Sequence, residues 1–350
     1  MMTTMAAADL PSSSTDVAPA EPAPGPARGR SPARAWALWL LRRLALAVLT
    51  LWLISVVVFV ATQALGDPAR AILGKSATPE RVAALHDQLH LDQPPVQRYV
   101  TWLGGLVTGD LGTSIASRQA VTGLIGPRVA NSAVLVALSA VVTLPLAFLL
   151  AIVAARRRDR PSDHVIQVGL LAIAALPEFV IGILLVALFS TTVFRLLPSV
   201  SVSTDGPPWF SPAAMILPVA TLTLAVAPYV SRILRASLVE VLESDYVEMA
   251  RLKGVPEGLA VRRHALRNAI VPGIQVSALQ LAWLAGGVVV VEYLFQYPGI
   301  GMTLVDALNN RDLPVIQSLA LLIAAVYVAV NLAADVLTIL VTPRLRTAVR

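Results

Sequence analysis

No cysteine occurs among the 350 residues. That absence excludes structural disulfides, thiolate zinc sites and a cysteine nucleophile. Charge is scarce as well: Asp, Glu, Lys and Arg make up 14% of the chain, against about a quarter in an ordinary soluble domain. Aromatic residues contribute 5%, and histidine is confined to His86, His90, His164 and His264. What the chain does have is apolar bulk. Hydrophobic residues reach 56% with a mean hydropathy of +0.73, the balance of a membrane protein.

Residues 1–36 hold six prolines among Ala, Ser, Gly and Arg, lack hydrophobic periodicity, and read as a disordered cytoplasmic tail. The run at 44–65, "LALAVLTLWLISVVVFVATQAL", follows Arg42 and Arg43. It exceeds the roughly 7–15 apolar residues of a signal peptide, so 37–65 is predicted to be an uncleaved first transmembrane helix. Five further spans are predicted near 132–154, 165–190, 213–231, 269–294 and 315–341. Pro145, Pro177, Pro218 and Pro228 fall inside them, which a bundle tolerates where neighbours satisfy the freed carbonyls. Six spans put both termini on one side. With the termini cytoplasmic, 19 of the 27 Lys and Arg residues lie inside and the two short outer loops hold only Arg195 and Arg311. The net charge of +6 is then largely a consequence of topology rather than a footprint for nucleic acid.

Residues 66–130 form the long extracytoplasmic segment in this reading. Thr78–Pro79 suits a helix start, with Val82, Leu85 and Leu89 at helical spacing. A second amphipathic stretch sets Val96, Tyr99, Leu103 and Leu106 on one face, and "GDLGTS" at 109–114 reads as a turn. Both helices are expected on or near the outer membrane surface. "GKS" at 74–76 imitates the end of a phosphate loop, but Ala69 stands where the first glycine is required, so no ATP hydrolysis is expected of this chain. His86 and His90 in "HDQLH" share a helical face without a third ligand or the glutamate of a zinc protease, and no metal site is expected.

Three carboxylates fall within the spans: Glu178, Glu292 and Asp335. Each costs about 2.5–3.5 kcal/mol on insertion scales, so each should meet a partner or a wet cavity. Glu292 and Asp335 lie near span ends, where capping or bracing competes with function. Glu178, beside Pro177 and deeper, is the candidate for the translocation path.

"DYVEMARLKGVPEGLAVRRHALRNAIVP", 245–272, interrupts this apolar chain with five basic residues and a Gly254–Val255–Pro256 break. A first helix carries Tyr246, Glu248, Met249 and Ala250; Gly254 ends it, and Pro256 suits the first turn of a second helix. That second helix offers Leu259, Leu266 and Ile270 on one face, with His264 and Asn268 nearby. Two short helices at an angle on the cytoplasmic side form a knob joined to two spans. A basic loop on anionic headgroups would explain the charge, at about 1 kcal/mol per basic residue, but not the break.

This stretch resembles the coupling motif of binding-protein-dependent ABC importer permeases: Glu248-Met249-Ala250, Gly254 at the family spacing, then His264-Ala265-Leu266. Met249, His264 and Arg267 depart from the family pattern. "GDPA" at 66–69, "LDQP" at 91–94, "GDLGTS", "EYLFQYPGIG" at 292–301, "NRDLPVIQ" at 310–317 and "TPRLR" at 342–346 are similar to the dipeptide, oligopeptide and nickel branch, in order from about residue 38 to 346. The resemblance implies an all-α membrane protein with a type I importer permease fold. A five-helix core at 131–346 would then contain the coupling segment 236–268. It further implies a bacterial inner-membrane location, a second homologous permease, and two ATPase subunits that bind the ATP and grip Tyr246, Glu248, Ala250, Gly254, His264, Leu266 and Asn268. An extracytoplasmic solute-binding protein would deliver peptide. Nickel chelates and glutathione are alternative cargoes. An intramembrane enzyme or an ion channel is the competing class, disfavoured by histidines outside or at the edges of spans and by the knob itself.

Overall fold

The computed structural model describes residues 32–341 except 65, 67–68, 70–72, 74–76, 89–92, 203–205, 257–258 and 260–265. Helices dominate, and the described residues contain no named strand, only an isolated bridge between Thr113 and Ala120. α1 spans Pro32–Ala64, followed on the outer side by α2 (Pro79–Gln88) and α3 (Pro95–Thr108). α4 (Val121–Arg156), α5 (Pro161–Ala174), α6 (Glu178–Val186) and α7 (Pro212–Leu242) come next. They lead to the short α8 (Asp245–Leu252), then α9 (Leu266–Leu294), α10 (Ile300–Asn309) and α11 (Leu313–Val341).

Four helices are long and apolar enough to cross a membrane: Trp36–Ala64, α4, α7 and Leu313–Leu337. Two bent pairs qualify jointly, Pro161–Ala174 with Glu178–Thr191 at 101°, and Gly273–Leu281 with Gly286–Leu294 at 55°. Counting each pair as one span gives the predicted six. Boundaries move, however. α1 takes in residues assigned to the tail, and α4 begins ten residues inside the predicted outer segment. Helix α7 continues well past the predicted end of its span into the coupling segment. The third span is not a continuous helix, because Pro177 has no N–H to continue the ladder and the chain turns there.

Helices α4 and α7 make the most extensive packing in the bundle. The buried face of α4 runs Ser132, Leu135, Ser139, Thr143, Ala147, Ala151 and Ala154, three or four residues apart and mostly small. Small side chains let two helices approach closely, which is how helices associate when surrounding lipid removes the hydrophobic drive. The Thr143 hydroxyl donates to the Thr223 hydroxyl at 3.2 Å across this contact. Pro218 and Pro228 lie inside α7 and are buried, as the sequence reading allowed.

On the outer side the connections are held by polar clamps. Glu292, at the end of α9, is fully buried. Its Oε1 accepts from the Ser132 hydroxyl at 2.5 Å, and its Oε2 from the backbone N–H of Gly301 at 2.6 Å and of Met302 at 3.4 Å. The Ser132 hydroxyl oxygen in turn accepts from Ile300 N–H at 2.9 Å. The first-turn amides of α10, which have no partner within their helix, are thus served by a carboxylate, a favourable charge at a helix N-terminus. Asn131 closes the hairpin from beneath, donating through Nδ2 to Pro298 O at 2.6 Å and accepting from the Tyr297 hydroxyl at 2.8 Å. The sequence reading placed no helix at 300–309; α10 exists because Glu292 reaches back to start it.

A second clamp ties "GDLGTS" to "NRDLP". The buried Asp312 carboxylate accepts from the Ser114 hydroxyl at 2.5 Å, Ile115 N–H at 3.1 Å and Ala116 N–H at 3.3 Å. Outer helix α3 seats Tyr99 and Trp102 against Phe59 of α1, and the Tyr99 hydroxyl lies 2.8 Å from that of Ser55. Val96, which periodicity placed on the same amphipathic face, is 74% exposed. The aromatic residues, not the valine, choose the docking face.

A Cβ at Gly299 would run into the Glu292 carboxyl group, whereas one at Gly123 would meet nothing within 4 Å. Overpacking a filled site costs about 1–3 kcal/mol. Gly299→Ala should therefore lower the thermal unfolding midpoint of the detergent-solubilised protein by several degrees, and Gly123→Ala should leave it unchanged.

Candidate coupling surface and pathway residues

The coupling segment grows directly from α7. Leu234, Leu238 and Leu242 are buried and pack on Ala151 and Ala155 at the cytoplasmic end of α4 in the topology above. At the turn that follows, Ser244 O accepts from Val247 N–H at 2.9 Å and from Glu248 N–H at 3.1 Å. The Ser244 hydroxyl donates back to Val241 O at 2.5 Å. α8 then runs with Asp245 and Glu248 in its first turn, where negative charge suits the helix dipole.

Val247 fixes this short helix to the bundle. It is fully buried in the cluster of Ala151, Ala155, Leu234, Leu238 and Leu242, and Val255 packs against the same group. The other side of α8 faces outward, with Glu248 exposed, Met249 at 53% and Leu252 at 76% exposure. Gly254 follows at φ +79° with open space around the position of a Cβ. Its requirement is for the left-handed backbone that ends the helix, not for room. Tyr246 and Ala250 lie in α8, and Leu266 and Asn268 in the first turn of α9. His264 lies outside the described residues, as do Lys75, Ser76 and His90 of the two dismissed motifs; His86 lies in α2.

Two ion pairs brace the base of this segment, and neither was anticipated. Arg235 of α7 grips Asp163 of α5 through both fork nitrogens, with Nε to Oδ1 at 2.9 Å. The Asp163 side chain is 3% exposed and that of Arg235 22%. Arg158, in the turn between α4 and α5, pairs with Glu243 at the end of α7 and with Asp159 at 3.1 Å. Complementary charges at 158–163 and 235–243 were visible in the sequence, but nothing local paired them. Asp335 meets Arg43 of α1 at 3.0 Å, so this span-end carboxylate braces α1 against α11.

Glu178 sits differently from the expectation of a deep mid-span charge. It is the first residue of α6, immediately after the Pro177 break, partly exposed, and it makes no hydrogen bond or ion pair with a described residue. The fully buried carboxylate is Glu292 instead. The break also supplies a polar contact: Ala174 O, near the Pro177 break, accepts from the Tyr229 hydroxyl at 3.3 Å.

A bundle of long apolar helices, with a short helix seated by Val247 against α4 and α7, is the architecture on which the comparisons bear. Residues 147–347 match the family described as binding-protein-dependent transport system inner membrane component, and residues 37–151 match its N-terminal membrane component. The chain belongs to this family and is a permease of the ABC importer class, a multi-pass inner-membrane protein and not an enzyme. Similar proteins include the glutathione transport system permease protein GsiC of Escherichia coli strain K12, 37% identical over 309 residues, covering 88% of this chain and 98% of the relative. The proteins of the same name from Shigella dysenteriae serotype 1 and Salmonella choleraesuis share the same identity and coverage.

Breaking one side of a buried ion pair leaves an uncompensated charge, at a cost of about 3–5 kcal/mol. Arg235→Met should therefore strongly destabilise the purified protein in a thermal scan. Arg235→Met combined with Asp163→Leu should recover most of the loss. A single variant as stable as the parent would show that the pair contributes nothing.

Proposed function

We propose that this permease imports small peptide-like solutes, glutathione among them, as one half of a two-permease pathway. The reading rests on one observation above others: 37% identity across 98% of a relative named for glutathione transport. An extracytoplasmic solute-binding protein delivers the cargo. Two cytosolic ATPase subunits bind the nucleotide and grip the segment 245–268, while this chain binds none. Both termini lie in the cytoplasm, in keeping with the Lys and Arg distribution. The mechanism is coupling of two equilibria. Closure of the ATPase pair displaces α8, and the seat of Val247 on α4 and α7 carries that displacement into the spans. Glu178 lines the pathway or meets the second permease, since an unpartnered carboxylate near a span requires water or a partner.

Uptake of labelled glutathione and of a tripeptide such as trialanine by cells carrying the complete system tests the cargo. Transport of nickel chelates with neither peptide taken up would replace the reading. Glu178→Gln should lower uptake with assembly intact, or lower recovery of the second permease; no change in either would remove it from both roles.

Gly254→Pro and Glu248→Arg should insert normally and abolish coupled uptake. Proline fixes φ near −65°, far from the +79° that Gly254 adopts. Because the chain has no native cysteine, single cysteines report topology cleanly. One placed at Asp110 or Thr113, both exposed, should react with an impermeant maleimide from outside, and one at Ser244 should not.

A further inference from the structure

A cavity of about 490 Å³ opens on the extracytoplasmic side between α3, the 110–115 turn and the start of α11. The Asp312 clamp holds two of its walls together. Its size falls within the roughly 300–1,000 Å³ typical of small-molecule sites. Phe59 and Trp102 supply aromatic surface, and Arg98 and Asp110 bring opposite charges to the lining. Thr101 stands at the rim, exposed.

Arg98 is half-buried and Asp110 exposed, and neither is paired with an opposite charge among the described residues. Arg98 donates from Nη1 to the neutral Gln63 Oε1 at 3.2 Å and has no carboxylate partner among the described residues. Partial burial pushes its pKa down. Asp110 Oδ1 accepts from Gly112 N–H at 2.9 Å, and its other oxygen has no partner among the described residues. Trp102 Nε1 is likewise buried without an acceptor there. A guanidinium fork is matched to a carboxylate, and a carboxylate to an ammonium. The aromatic surface of Phe59 and Trp102 on the same lining suits the body of a short peptide.

We propose that this outer pocket binds a zwitterionic short peptide, its carboxylate on Arg98 and its ammonium toward Asp110, as a first station on the permease itself. The proposal rests on the peptide-import reading for its ligand class. A lining with one cation and one anion suits the two ends of a small zwitterion rather than a protein lobe, which docks on broader surfaces.

The test uses the permease purified with its partners in lipid nanodiscs, with the solute-binding protein left out and ³⁵S-glutathione as probe. Saturable binding is expected, weakened about tenfold or more by Arg98→Gln through loss of a charge-assisted fork, and less by Arg98→Lys. Thr101→Trp, which fills the rim without touching either charge, should weaken binding comparably, with the thermal midpoint unchanged in all three. Parent-like binding in both Arg98→Gln and Thr101→Trp overturns the proposal. So does the absence of binding to the parent while uptake fed by the solute-binding protein proceeds; the import reading then stands and the pocket falls. If Arg98→Gln spoils only capture of the solute-binding protein, the cavity is a protein seat and the proposal is again overturned. Saturable binding to the parent, blocked by both variants, upholds the pocket even if the complete system imports neither peptide.

Discussion

Lipid offers no hydrogen bonds, so wherever this chain leaves a helix near the bilayer, the freed N–H and C=O groups need partners from within the protein. Much of the structure's polar chemistry follows from that one constraint. At the outer end of α9 the chain must turn and begin α10, and the amides so exposed are taken by Glu292 and Ser132. At the Pro177 break a carbonyl is taken by Tyr229. At the start of α11 the Asp312 carboxylate serves amides from a turn nearly two hundred residues away in sequence. The two carboxylates among these partners, Glu292 and Asp312, are buried and lie in motifs by which the chain resembles its family.

The end of the bundle that carries α8 shows a different economy, since the problem there is one of position rather than of satisfying backbone groups. A short helix of eight residues cannot hold its position by its own hydrogen bonds. Its orientation comes from Val247 in an apolar seat made by two spans, and from the turn at Ser244. The bidentate Arg235–Asp163 pair and the Arg158–Glu243 pair then join α5 and the turn before it to α7 just above that turn. α8 is thereby held against a braced group of three helices, α4, α5 and α7.

The apolar spans were legible in the sequence by their length, and the end of α8 was legible because Gly254 announces it. α10 was not legible. Ile300–Asn309 follows a Pro-Gly turn and reads as the edge of a loop until Glu292 and Ser132, the latter about 170 residues earlier, are brought to it. The bend in the third span was half-legible, since Pro177 announced it, but whether proline kinks or breaks a helix depends on what lies beside it. For α3, periodicity alone could not decide between Val96 and the aromatic residues; Phe59 and Ser55 of α1 decided it. The ion pairs were hidden for the same reason, as partners 72 and 85 residues apart leave no local trace.

The three carboxylates first noticed in the spans illustrate how one residue type is given different work by its surroundings. Glu292 meets two hydroxyl and amide sources in a closed site and starts a helix. Asp335 meets a guanidinium between two spans and braces them. Glu178 meets neither, although it begins a helix whose dipole tolerates it. Insertion scales put the cost of such a group at about 2.5–3.5 kcal/mol wherever it remains in hydrocarbon. The first two carboxylates offset that cost inside the chain. The third has no such partner among the described residues, and the helix dipole at the start of α6 is the one favourable contribution in view.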